Sequence, residues 1–360
     1  MRNRWLPVTL GAVVVLWASV VVTQAAANVS GELALKVTLP TGDDSWVDNQ
    51  LAGLSELKLA VDAEAGGAAY LHAVLRATDG YGSSAGAAAV GLDEAYVDLA
   101  RGDLTLRLGK QRVLWGSGYK VNPTSFVNPV NPEDPLGERT AVSALSAGYA
   151  VRDLRLNAVL IPEFKPAVVL GSVPMPSSTL ENAEYALKVT KRGIAGFDAS
   201  LSYYHGWEDQ PTYPGVNRLG LDLVGAVGDA GLWLEGAASK QQSGREYTEI
   251  VAGADYTTNG GLYLVGQYYV LSPDHPVAEG KKRDYAIVVG RKTVGDHLTA
   301  QVSGLYAVAG GDSALLPELT FNLADGTNLV MGLASVTKGT SDPLLRQVAN
   351  QVYAKLTLSF

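Results

Sequence analysis

Residues 103–109 read Asp-Leu-Thr-Leu-Arg-Leu-Gly, with leucine at every second position between polar or small residues. Successive side chains of a β-strand point to opposite faces of the sheet, so this stretch predicts a strand with one apolar face. The same period of two occurs in residues 54–62, 153–160 and 350–358. The pattern predicts a chain built from strands.

Followed along the chain, the alternation predicts about 18 strands, with 16 as the alternative count. They are residues 28–40, 51–63, 66–78, 90–101, 102–112, 139–151, 153–162, 180–192, 195–206, 216–227, 230–240, 245–257, 260–271, 282–294, 296–308, 314–324, 326–338 and 346–360. Every second connection is a tight turn of Gly, Asp or Asn, and the others are mostly longer and polar. Short turns at one end and long loops at the other are typical of bacterial outer-membrane proteins. The sequence therefore predicts an all-β, transmembrane, antiparallel up-and-down β-barrel.

The N-terminal residues predict export. Arg2 and Arg4 are followed by an uncharged stretch to residue 27 that ends in three alanines. A basic start, an apolar middle and a small-residue exit are typical of a signal peptide, here residues 1–27. An uncleaved anchor helix is the alternative. With cleavage, residues 28–360 form the barrel, and the predicted location is the outer membrane of a two-membrane bacterium.

Charge and cysteine content exclude several functions. Residues 28–360 hold 26 basic and 36 acidic side chains, a formal balance of −10, which gives no electrostatic footprint for nucleic acid. The chain has no cysteine, so it has no disulfide framework, thiolate metal site or cysteine nucleophile. No cofactor and no metal are predicted. An enzyme is disfavoured because there is no Gly-x-Ser-x-Gly motif and none of the four histidines, His72, His205, His275 and His297, lies in a recognised catalytic spacing.

Aromatic residues agree with a barrel. The chain ends at Phe360 after an alternating strand, which resembles the signal that the outer-membrane assembly machinery reads on a C-terminal strand. Residues 203–207 and 267–269 carry Tyr, His and Trp at predicted strand ends, and we expect them in the aromatic girdle at the lipid interface. The predicted partners are therefore outer-membrane lipid and the assembly machinery, with a homotrimer left open.

The segment between residues 109 and 139 differs from the rest of the chain. Prolines follow Asn or Asp four times within it, and proline cannot donate to a strand ladder, so residues 113–138 are predicted as an ordered long loop. The segment resembles a family of porin-like outer-membrane proteins, many uncharacterised, in which Gly-[Arg/Lys]-Gln runs into Trp-Gly and then Asn-Pro-x-[Asp/Asn]-Pro. The matching residues are Gly109, Lys110, Gln111, Trp115, Gly116, Asn128, Pro129, Asn131 and Pro132.

We interpret the loop as a segment that folds into the lumen and narrows a pore; a surface loop held by its own prolines is the alternative. Charges at a constriction set ion preference, and the candidates are Arg112, Lys120, Glu133, Asp134, Glu138 and Arg139. The alternation places further polar side chains on the inner face: Glu56, Lys58, His72, Arg76, Glu94, Asp98, Arg107, Gln111, Arg155, Arg218, Asp222, Glu235, Gln267 and Gln301.

Two functions remain from the sequence. The first is a porin-like channel for passive diffusion of small hydrophilic solutes or ions, since a barrel of this size leaves room for water. The second is a plugged or lipid-handling barrel that acts as the partner of an envelope export system. An open pore conducts and a plugged one does not, which separates the two.

Overall fold

The structure is a computed structural model that describes residues 27–41, 51–82, 86, 88–130, 139–166, 175–208, 210, 212–337, 340–348 and 350–360. Within these residues, eighteen strands form one sheet in which each strand pairs antiparallel with its neighbours along the chain. They are β1 Ala27–Pro40, β2 Ala52–Ala65, β3 Ala69–Gly82, β4 Ala89–Arg101, β5 Leu104–Gln111, β6 Val142–Val151, β7 Leu154–Ile161, β8 Glu184–Ile194, β9 Phe197–Trp207, β10 Gly215–Val227, β11 Ala230–Gln241, β12 Glu246–Thr257, β13 Leu262–Leu271, β14 Arg283–Val294, β15 Leu298–Ala307, β16 Ser313–Ala324, β17 Thr327–Val336 and β18 Gln351–Ser359. Single 3-10 turns lie at Leu180–Asn182 and Leu345–Gln347. The described part contains no helix that is both long enough and apolar enough to cross a membrane.

The sheet closes on itself between its first and last strands. β1 pairs with β18 from Glu32 opposite Ser359 to Pro40 opposite Gln351. Beyond the strand, the Phe360 N–H donates to the Gly31 carbonyl at 3.0 Å and the Phe360 carbonyl accepts from the Gly31 N–H at 2.8 Å. The predicted barrel and its 18 strands are confirmed.

Strand boundaries differ from prediction where a connection carries local structure. The predicted strands 180–192 and 346–360 begin later, at Glu184 and Gln351, because a 3-10 turn precedes each of them. The tight turns lie at one end, for example residues 66–68 and 152–153. Arg152 takes φ 52° there, in the left-handed region that such turns require.

The outer face of the barrel is apolar. Leu219 and Leu221 are 56% and 57% exposed, whereas Gly220 and Asp222, which alternate with them on β10, are buried. The same contrast recurs around the ring, where exposed aliphatic side chains lie on the outer face; examples are Leu187, Leu201, Leu234, Val288, Val302, Leu315, Leu319 and Met331. Outward side chains are thus mainly leucine and valine, whereas the inward face carries polar and small side chains and also a buried apolar cluster that includes Val265, Ile287 and Val289.

Glycines make room for aromatic rings on adjacent strands. Trp233 on β11 lies opposite Gly253 on β12, where an added Cβ would stand 2.4 Å from the indole ring. Four further cross-strand pairs have the same form: Gly31 with Phe360, Gly53 with Tyr81, Gly225 with Phe197, and Gly332 with Tyr353. A ring laid over a strand glycine covers backbone that the glycine leaves bare. These pairs tie neighbouring strands together.

We predict that Gly253→Ala destabilises the barrel by about 1–3 kcal/mol, because the buried Trp233 ring must leave its place. Unfolding by guanidinium in lipid vesicles, followed by tryptophan fluorescence, measures the change. Gly266→Ala on β13 is the matched control, since no atom lies within 4 Å of its added Cβ. Equal guanidinium midpoints of unfolding for the two variants would contradict the stabilising role of these glycine–aromatic pairs.

Candidate functional site

The connection between β5 and β6 enters the barrel. We call its described residues 112–130 the infolded loop. The backbone N–H of Ser117 donates to Glu235 on β11, and that of Tyr119 donates to Gln267 on β13. β13 stands eight strands from β5 in a ring of eighteen, nearly opposite. The loop therefore crosses the lumen.

Glu235 is the main contact between the loop and the wall. Its side chain is fully buried, and its Oε1 accepts hydrogen bonds from the N–H groups of Ser117 and Gly118, each at 2.5 Å. Its Oε2 accepts from the N–H and the hydroxyl of Thr124, at 3.2 and 2.8 Å. Hydrogen bonds to an ionised acceptor are the stronger kind. One carboxylate thus binds two separate turns of the loop.

Two amide side chains complete the attachment. Gln267 accepts from the Tyr119 N–H at 2.8 Å and from the Trp233 indole at 3.1 Å. Asn128 accepts from the Val113 N–H at 2.6 Å and donates to the Thr140 carbonyl at 2.7 Å. Asn128 therefore joins the outgoing and returning arms of the loop.

Apolar contacts hold the loop against one side of the wall. Trp115, Phe126 and Val127 are buried in a cluster with inward residues of β6 to β11: Ala144, Val159, Ile161, Ala186, Tyr204, Val216 and Ala237. A Cβ at Gly220 on β10 would lie 2.9 Å from the Phe126 ring, so this glycine gives the ring its place. The loop is a packed part of the interior.

The motif residues lie at the stem and in the body of the loop. Gly109 has φ 132°, and a Cβ there would meet the Ala95 carbonyl at 2.2 Å. Gln111 is 1% exposed and donates to the Ala144 carbonyl at 2.9 Å, while Lys110 donates to the Leu92 carbonyl. The Pro129 carbonyl accepts from the Thr140 N–H at 3.1 Å. Asn131 and Pro132 lie outside the described residues.

An arginine and two acids fix the stem. Arg112 pairs with Asp93 at 3.0 Å and with Glu94 at 2.8 Å, and its Nε donates to the Arg139 carbonyl at 2.7 Å. Asp93 and Glu94 lie at a β-bulge in β4. The adjacent residues Val74 and Leu75 of β3 pair with Glu94 and Leu92, so the register skips Asp93. Strict alternation assigns only one of two adjacent acids to the inner face, so the sequence reasoning missed Asp93.

A cavity of about 690 Å³ borders the infolded loop. Three wall carboxylates each accept a tyrosine hydroxyl: Glu184 from Tyr204, Glu208 from Tyr247, and Glu249 from Tyr269. Arg218 also lines the cavity and pairs with Glu208 at 3.2 Å. The lining therefore combines apolar side chains such as Ile161 and Leu271 with charges of both signs.

The six constriction candidates differ in where they lie relative to the cavity. Lys120 and Arg139 line the cavity, and neither forms an ion pair with another described residue. Burial lowers the pKa of the Arg139 guanidinium below its ordinary value despite the nearby Glu249 carboxylate, yet an arginine side chain stays charged. Arg112 binds at the stem. Glu133, Asp134 and Glu138 lie outside the described residues.

Inward charges differ between the two sides of the lumen. Beneath the loop, Lys188 and Asp222 form a 2.9 Å pair with side chains only 11% and 5% exposed. On β2 to β5, Arg107 binds both oxygens of Asp98 at 2.7 Å and Arg76 binds Glu56 at 2.6 Å, yet Arg107 and Arg76 stay 33% and 34% exposed. The other predicted inward residues are placed as follows: Lys58 3.5 Å from Glu56, His72 2.7 Å from Asp62, Arg155 exposed beside the turn after β6, and Gln301 3.5 Å from Ser303. Solvent thus reaches the wall that the loop leaves uncovered.

The girdle prediction is wrong for two tyrosines. Tyr204 and Tyr269 point inward to Glu184 and Glu249, because alternation turns every second side chain of a strand into the lumen. His205, one position after Tyr204, lies on the other face, where its ring stacks on Tyr185 at 4.9 Å.

No family model matches the sequence, and no curated protein matches it. Solved structures with a similar fold include Pseudomonas aeruginosa OccK11 (OpdR), with 13% identity and a TM-score of 0.62 over 93% of this chain and 96% of that one. A BenF-like porin from Pseudomonas fluorescens Pf-5 has 11% identity and a TM-score of 0.63 over 94% and 99%. Acinetobacter baumannii OccAB4 has 9% identity and a TM-score of 0.61 over 94% and 99%. The chain has the 18-stranded barrel fold of these proteins.

We predict that Asn128→Ala loosens the infolded loop, because removing its carboxamide leaves buried backbone groups without partners at a cost of about 1–3 kcal/mol. Hydrogen exchange followed by mass spectrometry should show faster exchange in peptides from residues 113–130 and unchanged exchange in the strands. Asn157→Ala is the control, since its side chain makes no hydrogen bond to another described residue. Unchanged loop exchange in the Asn128 variant would contradict the role of this residue.

Proposed function

We propose that the chain is a porin-like channel for passive diffusion of small hydrophilic solutes or ions across the outer membrane of a two-membrane bacterium. The observation that carries this proposal is the infolded loop, which crosses the lumen and borders a charged cavity of about 690 Å³. The BenF-like porin with a similar fold is named for that class.

The outer face supports a membrane location. A continuous apolar surface is unfavourable in water and favourable against lipid tails. Closure between β1 and β18 leaves no open strand edge, as lipid requires. Outward aromatic side chains such as Tyr185, Tyr203 and His205 gather at the loop end of β8 and β9, where a girdle would meet the interface.

The alternative, a plugged or lipid-handling barrel, is favoured by one observation. Trp115, Phe126 and Val127 pack so that the loop fills part of the lumen beside β6 to β11. Against it, the opposite wall keeps partly exposed charged pairs such as Arg107 with Asp98. Wet, charged side chains suit a path for water and ions better than a path for lipid.

The C-terminal strand supports a further part of the proposal. Phe360 is 69% exposed and lies over Gly31 at the seam between β1 and β18. An exposed terminal ring on the last strand is available to the assembly machinery before the barrel closes. A homotrimer stays an expectation, as does cleavage of residues 1–27.

We predict discrete conductance steps from residues 28–360 refolded into a planar bilayer. Arg139→Gln and Lys120→Gln should each raise the permeability of cations relative to anions, by a factor of about two, since each removes a positive charge from the constriction. The reversal potential in asymmetric salt measures this ratio.

Lys240→Gln is the matched control, because Lys240 is 66% exposed at the loop end of β11 and makes the same change in charge outside the cavity. Equal reversal potentials for all variants would remove Lys120 and Arg139 from the constriction. A heat-modifiable, folded barrel that never conducts would favour the plugged alternative.

A further inference from the structure

We infer that Glu235 is the positioning residue that holds the infolded loop in the lumen and so sets the upper size of solute that passes. The inference rests on the proposed channel function. Glu235 touches no solute in this role; it acts through residues 116–124 of the loop.

Burial makes this carboxylate depend on the loop. Its side chain is 0% exposed, and no described Lys, Arg or His forms an ion pair with it. An isolated buried carboxylate costs far more than a neutral polar group. The five donor groups of Ser117, Gly118 and Thr124 replace the water that a free carboxylate would bind. Withdrawing the loop would remove all five donors together.

Two glycines of the loop leave room for the Glu235 carboxylate. Gly116 has φ 88°, and a Cβ on it would lie 2.8 Å from Oε2 of Glu235. A Cβ on Gly118 would lie 2.2 Å from the Val121 carbonyl and 3.3 Å from Oε1 of Glu235. Successive backbone N–H groups in such a turn form an anion-binding concavity. The segment 116–118 is therefore a backbone receptor for the carboxylate of β11.

The chain supplies a matched carboxylate on the same wall. Asp222 on β10 lies directly opposite Glu235 and is 3% exposed. It pairs with Lys188 at 2.9 Å and makes no hydrogen bond to the described residues of the loop. Two neighbouring buried acids thus differ in what they bind: Glu235 binds the loop backbone directly, whereas Asp222 binds a wall lysine that lies 5.9 Å from the Trp115 ring of the loop.

The test uses residues 28–360 in vesicles and planar bilayers, with Ser125→Cys as a reporter of loop release. Ser125 borders the cavity but is only 9% exposed, it donates no hydrogen bond to Glu235, and the protein has no native cysteine. In this background, Glu235→Ala should speed labelling of the cysteine by a charged maleimide about tenfold or more. Glu235→Gln should give a smaller rise, because its carbonyl still accepts from Ser117 and Gly118. Asp222→Asn should leave the labelling rate at the level of the reporter alone.

Single-channel conductance should follow the same order. We expect Glu235→Ala to raise it about twofold and to admit larger neutral sugars in liposome swelling, with Glu235→Gln between it and the parent. Heat-modifiable migration on a gel shows that each variant has folded.

Labelling that stays slow in folded Glu235→Ala would overturn the inference, as would an equal rise in Asp222→Asn. Fast labelling with unchanged conductance would overturn the role in solute size. A parent protein that never conducts while Glu235→Ala labels fast would support the attachment and contradict the proposed channel, so the two failures are distinguishable.

Discussion

The first and last strands must pair, because every N–H and C=O of a sheet in an apolar surrounding needs a partner and an open edge would leave two rows unpaired. β1 and β18 meet in register from Glu32 to Pro40, and Gly31 continues the ladder to Phe360. Closing a ring of eighteen strands fixes its width, and a ring this wide cannot be filled by wall side chains alone. The space inside the ring is therefore occupied by the infolded loop, by the charged cavity beside it and by solvent along the strands that the loop does not cover.

The interior divides into two sides with different chemistry. On the side of β6 to β13 the loop packs through Trp115 and Phe126 and is bound by Glu235, and a cavity remains between the loop and the charged wall residues Glu184, Arg218 and Glu249. On the side of β2 to β5 the charged side chains are paired with one another and stay partly exposed, as Arg107 with Asp98 shows. A buried carboxylate bound by backbone N–H groups fixes the loop on one side, and paired, partly exposed charges line the other side.

The sequence predicted the barrel well because strand formation is local: a period of two and glycine-rich turns are visible within ten residues. It also placed Glu235 on the inner face. The partners of Glu235 could not be predicted, since Ser117 stands 118 positions away and the contact depends on ring closure. Alternation does not predict the inward position of Asp93 because β4 has a bulge there. Tyr204 and Tyr269 stand beside outward aromatic residues in the sequence, but strand parity turns both of them into the lumen.

We propose that solutes and ions pass beside the infolded loop through the cavity that Lys120 lines. The test is the single-channel current of Lys120→Cys, measured before and after a bulky charged thiol reagent is added. The protein has no native cysteine, so the introduced thiol is the target of the reagent. Each reaction should remove most of the current in a single step. An unchanged current through a fully labelled channel would contradict it and place the path elsewhere in the barrel.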